Sequence, residues 1–185
     1  LRDAAEQVQK QADGLPVYYT EWNGCATFGA PGNDTRKVAA YDVRAALSAE
    51  DFIDGSSIWC FSDIFEEIHP FPEEFHGGYG LVTQHGIAKP LFHALRLLGQ
   101  AGDKRLELPG ALDGEVSVAA FRDAADTQLT VLATKQNLHH FAGQSTPATP
   151  VEIEVELDAK PQSVQLCRID EEHGNPLKCW QAMGE

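Results

Sequence analysis

Basic residues are scarce in this chain. Lys and Arg number 14 against 28 Asp and Glu, a formal charge of −14 over 185 residues. So acidic a surface repels phosphate backbones, and nucleic acid is excluded as a partner. Long apolar runs are missing as well. No stretch nears the roughly 18 uncharged apolar residues of a membrane helix, which excludes an integral helical membrane protein. Cysteine is limited to positions 25, 60, 167 and 179, with no Cys-x-x-Cys pair. A zinc ribbon or thioredoxin-type site is therefore not indicated. Free structural thiols are favoured, with Cys167 and Cys179 left as a pair that a bridge could join. There is no P-loop and no serine nucleophile elbow. The glycines of residues 75–81 (FHGGYGL) do not run from a strand into a helix, as a dinucleotide fingerprint requires. His69, His76, His85 and His93 match no compact zinc spacing. No cofactor and no metal are expected. The chain opens on Leu1 with no readable export leader, so cytoplasmic and secreted locations stay open.

What is present is a globular composition, 43% hydrophobic and 23% charged, with 16 Gly and 10 Pro. The length suits one compact domain or two small ones. Residues 3–12 are rich in helix formers and stop at Gly14 and Pro16. Residues 17–20 (VYYT) read as a short strand. After a Gly/Pro loop, Asp34 or Thr35 can cap a helix to about Ala49, whose Val38, Tyr41 and Ala45 keep a 3.6-residue period. Residues 57–61 (SIWCF) read as a second strand, and residues 62–86 as a long loop. Pro90 suits the first turn of a helix carrying Leu91, Leu95 and Leu98. This alternation indicates a parallel sheet. Two strands are too few for such a sheet, so further strands are expected from outside this chain.

The character changes after Gly102. Val116 and Val118, then Leu129 and Val131, alternate with polar neighbours. Residues 151–157 (VEIEVEL) alternate strictly, and residues 163–167 continue the pattern. Turns fall at 113–114, 123–126 and 159–161. The expectation is an antiparallel unit with one wet face, half of a β-sandwich. Glu152, Glu154 and Glu156 then form a solvated strand face.

Chemistry concentrates at the strand ends. Glu21 directly follows the first strand, and a carboxylate at the carboxyl end of a parallel strand stands where barrel enzymes place catalytic groups. The second strand leads into Trp59, Phe61, Asp63, Phe65, Glu66 and Glu67. Flat aromatic faces cover sugar C–H surfaces, and carboxylates accept from sugar hydroxyls. Between Arg44 and Lys89 there is no Lys or Arg, against eight Asp and Glu. An acidic rim of this kind suits a neutral polyol or a developing cation better than a phosphate.

Residues 20–23 (TEWN), 58–67 (IWCFSDIFEE), 75–81 (FHGGYGL) and 86–95 (GIAKPLFHAL), in this order, resemble glycoside hydrolase family 39, the β-xylosidases and α-L-iduronidases. Residues 168–176 resemble the closing segment of bacterial β-xylosidases in that family. The likeness covers nearly the whole chain. It implies an α/β plus β architecture. Residues 1–100 would be the last strands and helices of a (β/α)8 TIM barrel, and residues 101–185 an antiparallel β-sandwich. It makes Glu21 the nucleophile of a retaining glycosidase, with Asn23 a substrate-binding residue beside it and, with a nearby Tyr, a source of hydrogen bonds to its carboxylate. Trp59 and Phe65 would wall the sugar, Glu66 and Glu67 would bind its hydroxyls, and Asp63 would line or brace the pocket.

Two departures stand out. The family carries its acid/base Glu in an Asn-Glu-Pro segment, and none occurs here. Gly24-Cys25 stands where Ser or Thr often follows the nucleophile. The reading is therefore a β-xylosidase that releases xylose from non-reducing ends, acting on xylo-oligosaccharide or another β-glycoside. The missing amino-terminal barrel segment would be its partner, self-association is left open, and the 185 residues alone would be inactive. A non-catalytic carbohydrate-binding module and an α-L-iduronidase-type enzyme are the alternatives.

Overall fold

The computed structural model describes residues 1–65, 67, 71, 73–112, 114–136, 150–157 and 159–184. Helix α1, Arg2–Gln11, forms from the expected helix-rich stretch and carries a Lys10–Glu6 pair at 2.6 Å, one turn apart. It ends where Asp13 and Gly14 take positive φ, +50° and +83°. Strand β1, Tyr18–Trp22, follows. Thr35 caps helix α2, Arg36–Ala49, by accepting the Lys37 N–H at 3.3 Å. Strand β2, Gly55–Ile58, then pairs with β1 in parallel, as the strand–helix–strand alternation predicts. The regular strand stops at Ile58, short of the expected Phe61. Trp59 N–H is still taken by Trp22 O at 2.8 Å, but residues 60–63 then bond to residues 79–82 of the returning loop. The Trp59–Cys60 peptide is cis.

Helix α3, Pro90–Leu98, starts at its proline and packs on α2. Val38, Ala39, Val43 and Leu47 of α2 meet Leu91 and Ala94 of α3 in one buried cluster. Ala119 and Phe121 join the same cluster from a second sheet. Each fully buried Val, Leu or Phe contributes roughly 1.5–3 kcal/mol over exposure. The second sheet is antiparallel: β3, Lys104–Leu106, β4, Val116–Arg122, and β5, Leu129–Lys135, in that spatial order. The β4–β5 turn is held by Asp123, whose carboxylate accepts from Thr127 N–H and Gln128 N–H, both at 2.7 Å. A short helix α4, Pro176–Ala182, closes the described chain, capped by Asn175.

One expectation needs correction. Residues 151–157 and 163–167 form no strand, and their apolar members, Val151 to Leu157 and Val164 and Leu166 among them, are exposed. Alternation makes a strand only where a neighbouring strand accepts its hydrogen bonds, and no described segment takes that place. Among the described residues this part of the chain builds one three-stranded antiparallel sheet. Strand β3 and helix α4 are additions. The first has three residues, too few to show a period, and the second lies in a stretch without a strong apolar face. The four cysteines are free thiols.

Candidate active site

Tyr19 pairs with Ser56 and Trp22 with Ile58, so three steps along β1 are matched by two along β2. The extra residue is a bulge at Thr20 and Glu21, which both stand exposed in succession, against the alternation of a regular strand. The bulge turns the Glu21 carboxylate out at the carboxyl end of the parallel pair.

Asn23 ties that end to β2. Its Nδ2 donates to Trp59 O at 2.7 Å, and its Oδ1 accepts from Cys25 N–H at 3.0 Å. The amide thus locks both the turn after Glu21 and the backbone under Trp59. Trp59 is partly exposed and meets Phe65 edge-on, with centroids 5.8 Å apart. Phe65 stacks on Phe28 at 6.1 Å, and Phe28 contacts Phe71 and Tyr79 at 5.4 and 5.1 Å. Phe28 was not singled out by sequence. It sits in a loop without periodicity, and only its contact with residues from beyond α2 shows its place. Tyr79 Oη also donates to Ala26 O at 2.8 Å. The loop after β1 is therefore clasped to the loop after β2 by aromatic rings. Glu67 is exposed on the same loop, and Glu66 lies outside the described residues.

Asp63 is placed beneath this wall, not on it. Its buried carboxylate lies 2.6 Å from Lys89 Nζ, and Asp34 lies at the same distance on the other side. Lys89 also donates to Gly78 O at 3.1 Å. Asp34 accepts from Gly77 N–H at 2.6 Å and Asp63 from Gly80 N–H at 2.7 Å. The glycine-rich loop is stitched down by an ion triad that joins residues 34, 63 and 89. The glycines are required there. A Cβ on Gly80 would stand 2.3 Å from Asp63 N, and one on Gly77, at φ +78°, 2.5 Å from Gly29 C. Burial pushes the Asp34 carboxyl up, and Lys89 opposes the shift. Lys89 is thus fully engaged, and the region without Lys or Arg between residues 44 and 89 offers no free ammonium or guanidinium to a ligand. A second pair, Glu74 with His85, anchors the same loop further out.

Behind β1, Asp42 of α2 is fully buried, and burial pushes its carboxyl up to about 7, with the Gly24 N–H pulling the other way. The folded value lies above the ordinary 3.8, so the native state holds the proton more tightly than the unfolded chain. The resulting penalty is absent below about pH 4, grows as pH rises and is complete above about pH 7, where it is on the order of 4 kcal/mol. Asp42→Asn is therefore expected to gain stability over wild type at pH 8 and little at pH 4. Urea unfolding at the two values checks this, and an equal gain at both would refute it.

The arrangement is an exposed carboxylate at a strand end, an adjoining aromatic wall and an acidic rim on a stretch, residues 45–88, that holds no Lys or Arg. It can attack or stabilise a positive centre on a neutral, flat-faced ligand. The sequence matches the profile of the glycosyl hydrolases family 39 over residues 1–185. It is 31% identical over 194 residues to a β-xylosidase of Caldicellulosiruptor saccharolyticus, covering 98% of this chain and 37% of that enzyme. It is 32% identical over 170 residues to a β-xylosidase of Geobacillus stearothermophilus, covering 92% and 32%. A family 39 β-xylosidase structure from Caulobacter crescentus matches with a TM-score of 0.61 at 29% identity, over 71% of this chain and 29% of that one. A family 39 enzyme from Xanthomonas axonopodis pv. citri matches with 0.60 at 28%, over 70% and 25%. The chain spans about a third of the length of the β-xylosidases it resembles.

Proposed function

The chain belongs to glycoside hydrolase family 39, and on that premise we propose that it carries the nucleophile half of a retaining β-xylosidase site, with Glu21 as the nucleophile. Residues 1–100 belong to a (β/α)8 barrel, and residues 101–185 to a β-sandwich domain. The observation that carries the reading is the bulged end of β1, which presents Glu21 outward, while Asn23 just beyond it holds the turn to the Trp59 carbonyl.

In a retaining mechanism two carboxyl groups stand about 5–5.5 Å apart. The Glu21 carboxylate attacks the anomeric carbon as a second carboxylic acid protonates the leaving oxygen. The glycosyl ester formed on Glu21 is then hydrolysed by water, from which the second group, now a carboxylate, takes a proton. That second group belongs to an Asn-Glu-Pro segment outside these residues. Trp59 and Phe65 present rings to the sugar, and Glu66 and Glu67 accept from its hydroxyls. Asn23 sets the strand end, and Asp63 braces the floor of the pocket through Lys89.

An iduronate substrate would bring a carboxylate of its own, and Lys89, engaged by two aspartates, is not available to receive it. That observation favours the xyloside. The full-length protein is expected to hydrolyse an aryl β-xyloside with retained configuration, read by NMR of the first-formed sugar. The 185 residues alone are expected to give no turnover, since they hold one carboxyl group of the pair. Inverted product, or binding of xylo-oligosaccharide with no hydrolysis by the full-length protein, would refute the reading.

A further inference from the structure

Helix α2 buries one face, and Asp42 stands on it between Val38, Ala39 and Val43. An acid at such a position is unfavourable unless something requires it. Neither carboxyl oxygen closes a hydrogen bond of full geometry. The side chain faces Gly24, three residues after Glu21. A Cβ on Gly24 would lie 2.4 Å from Asp42 Oδ1 and 2.7 Å from the Tyr41 ring. Gly24 and Asp42 are therefore complementary: the residue without a side chain leaves the space that the acid fills.

The contact leads directly to the strand end. Gly24 is followed by Cys25, whose N–H is held by Asn23 Oδ1, and Asn23 Nδ2 holds Trp59 O. Asp42 is enclosed by this chain alone, with no exposed surface, so no substrate or outside segment reaches it. Its influence passes through the backbone of the turn.

We propose that Asp42 is a positioning residue for the nucleophile: its buried carboxyl fills the space beside Gly24 and fixes the 23–25 turn, which holds the end of β1 that carries Glu21. The proposal rests on Glu21 being the nucleophile.

The test compares Asp42→Leu, Asp42→Ala and Asp42→Asn in the full-length protein. Leu fills the volume with no acid, so Asp42→Leu is expected to unfold at the same or a higher temperature than wild type. Its kcat on an aryl β-xyloside, normalised to sites trapped by a 2-fluoro-xyloside, is expected to fall roughly 10- to 100-fold, the scale of a small misplacement, with KM changed less than about threefold. Asp42→Ala should fall alike, and Asp42→Asn, which keeps shape and polarity, should restore kcat to within about threefold. Hydrogen exchange of a peptide spanning residues 22–25 should speed up in the Leu and Ala variants and not in the Asn variant. A kcat within twofold of wild type for Asp42→Leu or Asp42→Ala overturns the proposal. If wild type itself turns over no glycoside, the functional reading fails. Exchange then decides the positioning claim alone, and unchanged exchange in both the Leu and Ala variants overturns it.

Discussion

Glu21→Ala in the full-length protein is expected to lower kcat on an aryl β-xyloside by roughly 10⁴-fold or more, the scale seen when an essential nucleophile is removed from a catalytic unit. The magnitude follows from its role. With no carboxylate to form the ester, one difficult displacement is no longer divided into two easier ones. Folding should be unaffected, because Glu21 is exposed and the bulge is held by backbone contacts and by Asn23. Thermal unfolding within a degree or two of wild type is the control. The same variant supplies a sharper test. Azide enters the space left by the carboxylate and attacks the anomeric carbon from the same face, giving a glycosyl azide of inverted configuration. Azide-dependent turnover of Glu21→Ala with that product is expected. Near-normal turnover without azide would remove Glu21 as the nucleophile.

Lys89→Met is expected to be the most damaging single change to stability, about 3–5 kcal/mol. The ammonium is buried between two buried carboxylates, each also holding a loop amide. Its removal leaves Asp34 and Asp63 facing each other without a counter-charge, in a space closed to water. The remedy available to the protein is proton uptake, so the loss should be smaller at pH 5 than at pH 8. Urea unfolding of the variant at both values reads the effect. A loss under about 1 kcal/mol at pH 8 would show that the triad does not hold the loop. Asp34→Asn and Asp63→Asn introduced together with Lys89→Met should recover part of the stability, because a neutral cluster requires no buried charge to be balanced.

What sequence made legible was local. Helices α1, α2 and α3 follow from runs of helix formers, from Thr35 at a cap and from Pro90 at a first turn. Strands β1 and β2 follow from short aromatic and β-branched runs, and their parallel pairing from the helix between them. The places of Glu21 and Trp59 near the carboxyl ends of β1 and β2 were legible from the short runs that form those strands. The ion triad was not visible. Its members are separated by 29 and 26 residues, and charges that far apart leave no periodic trace. Asp63 read equally well as a ligand contact for the same reason. Phe28 is hidden in a loop, and the spacing of α2 does not mark Asp42, which only its burial sets apart. The alternation of residues 151–157 misled in the opposite direction, since a period of two records a preference for a sheet and not the presence of a neighbour.

The extra residue at Thr20–Glu21 has a bearing on how this chain can change. Deleting Thr20 would let β1 and β2 pair in step, leaving the acid as the single exposed residue between Tyr19 and Trp22 and shifting where along the pair it stands.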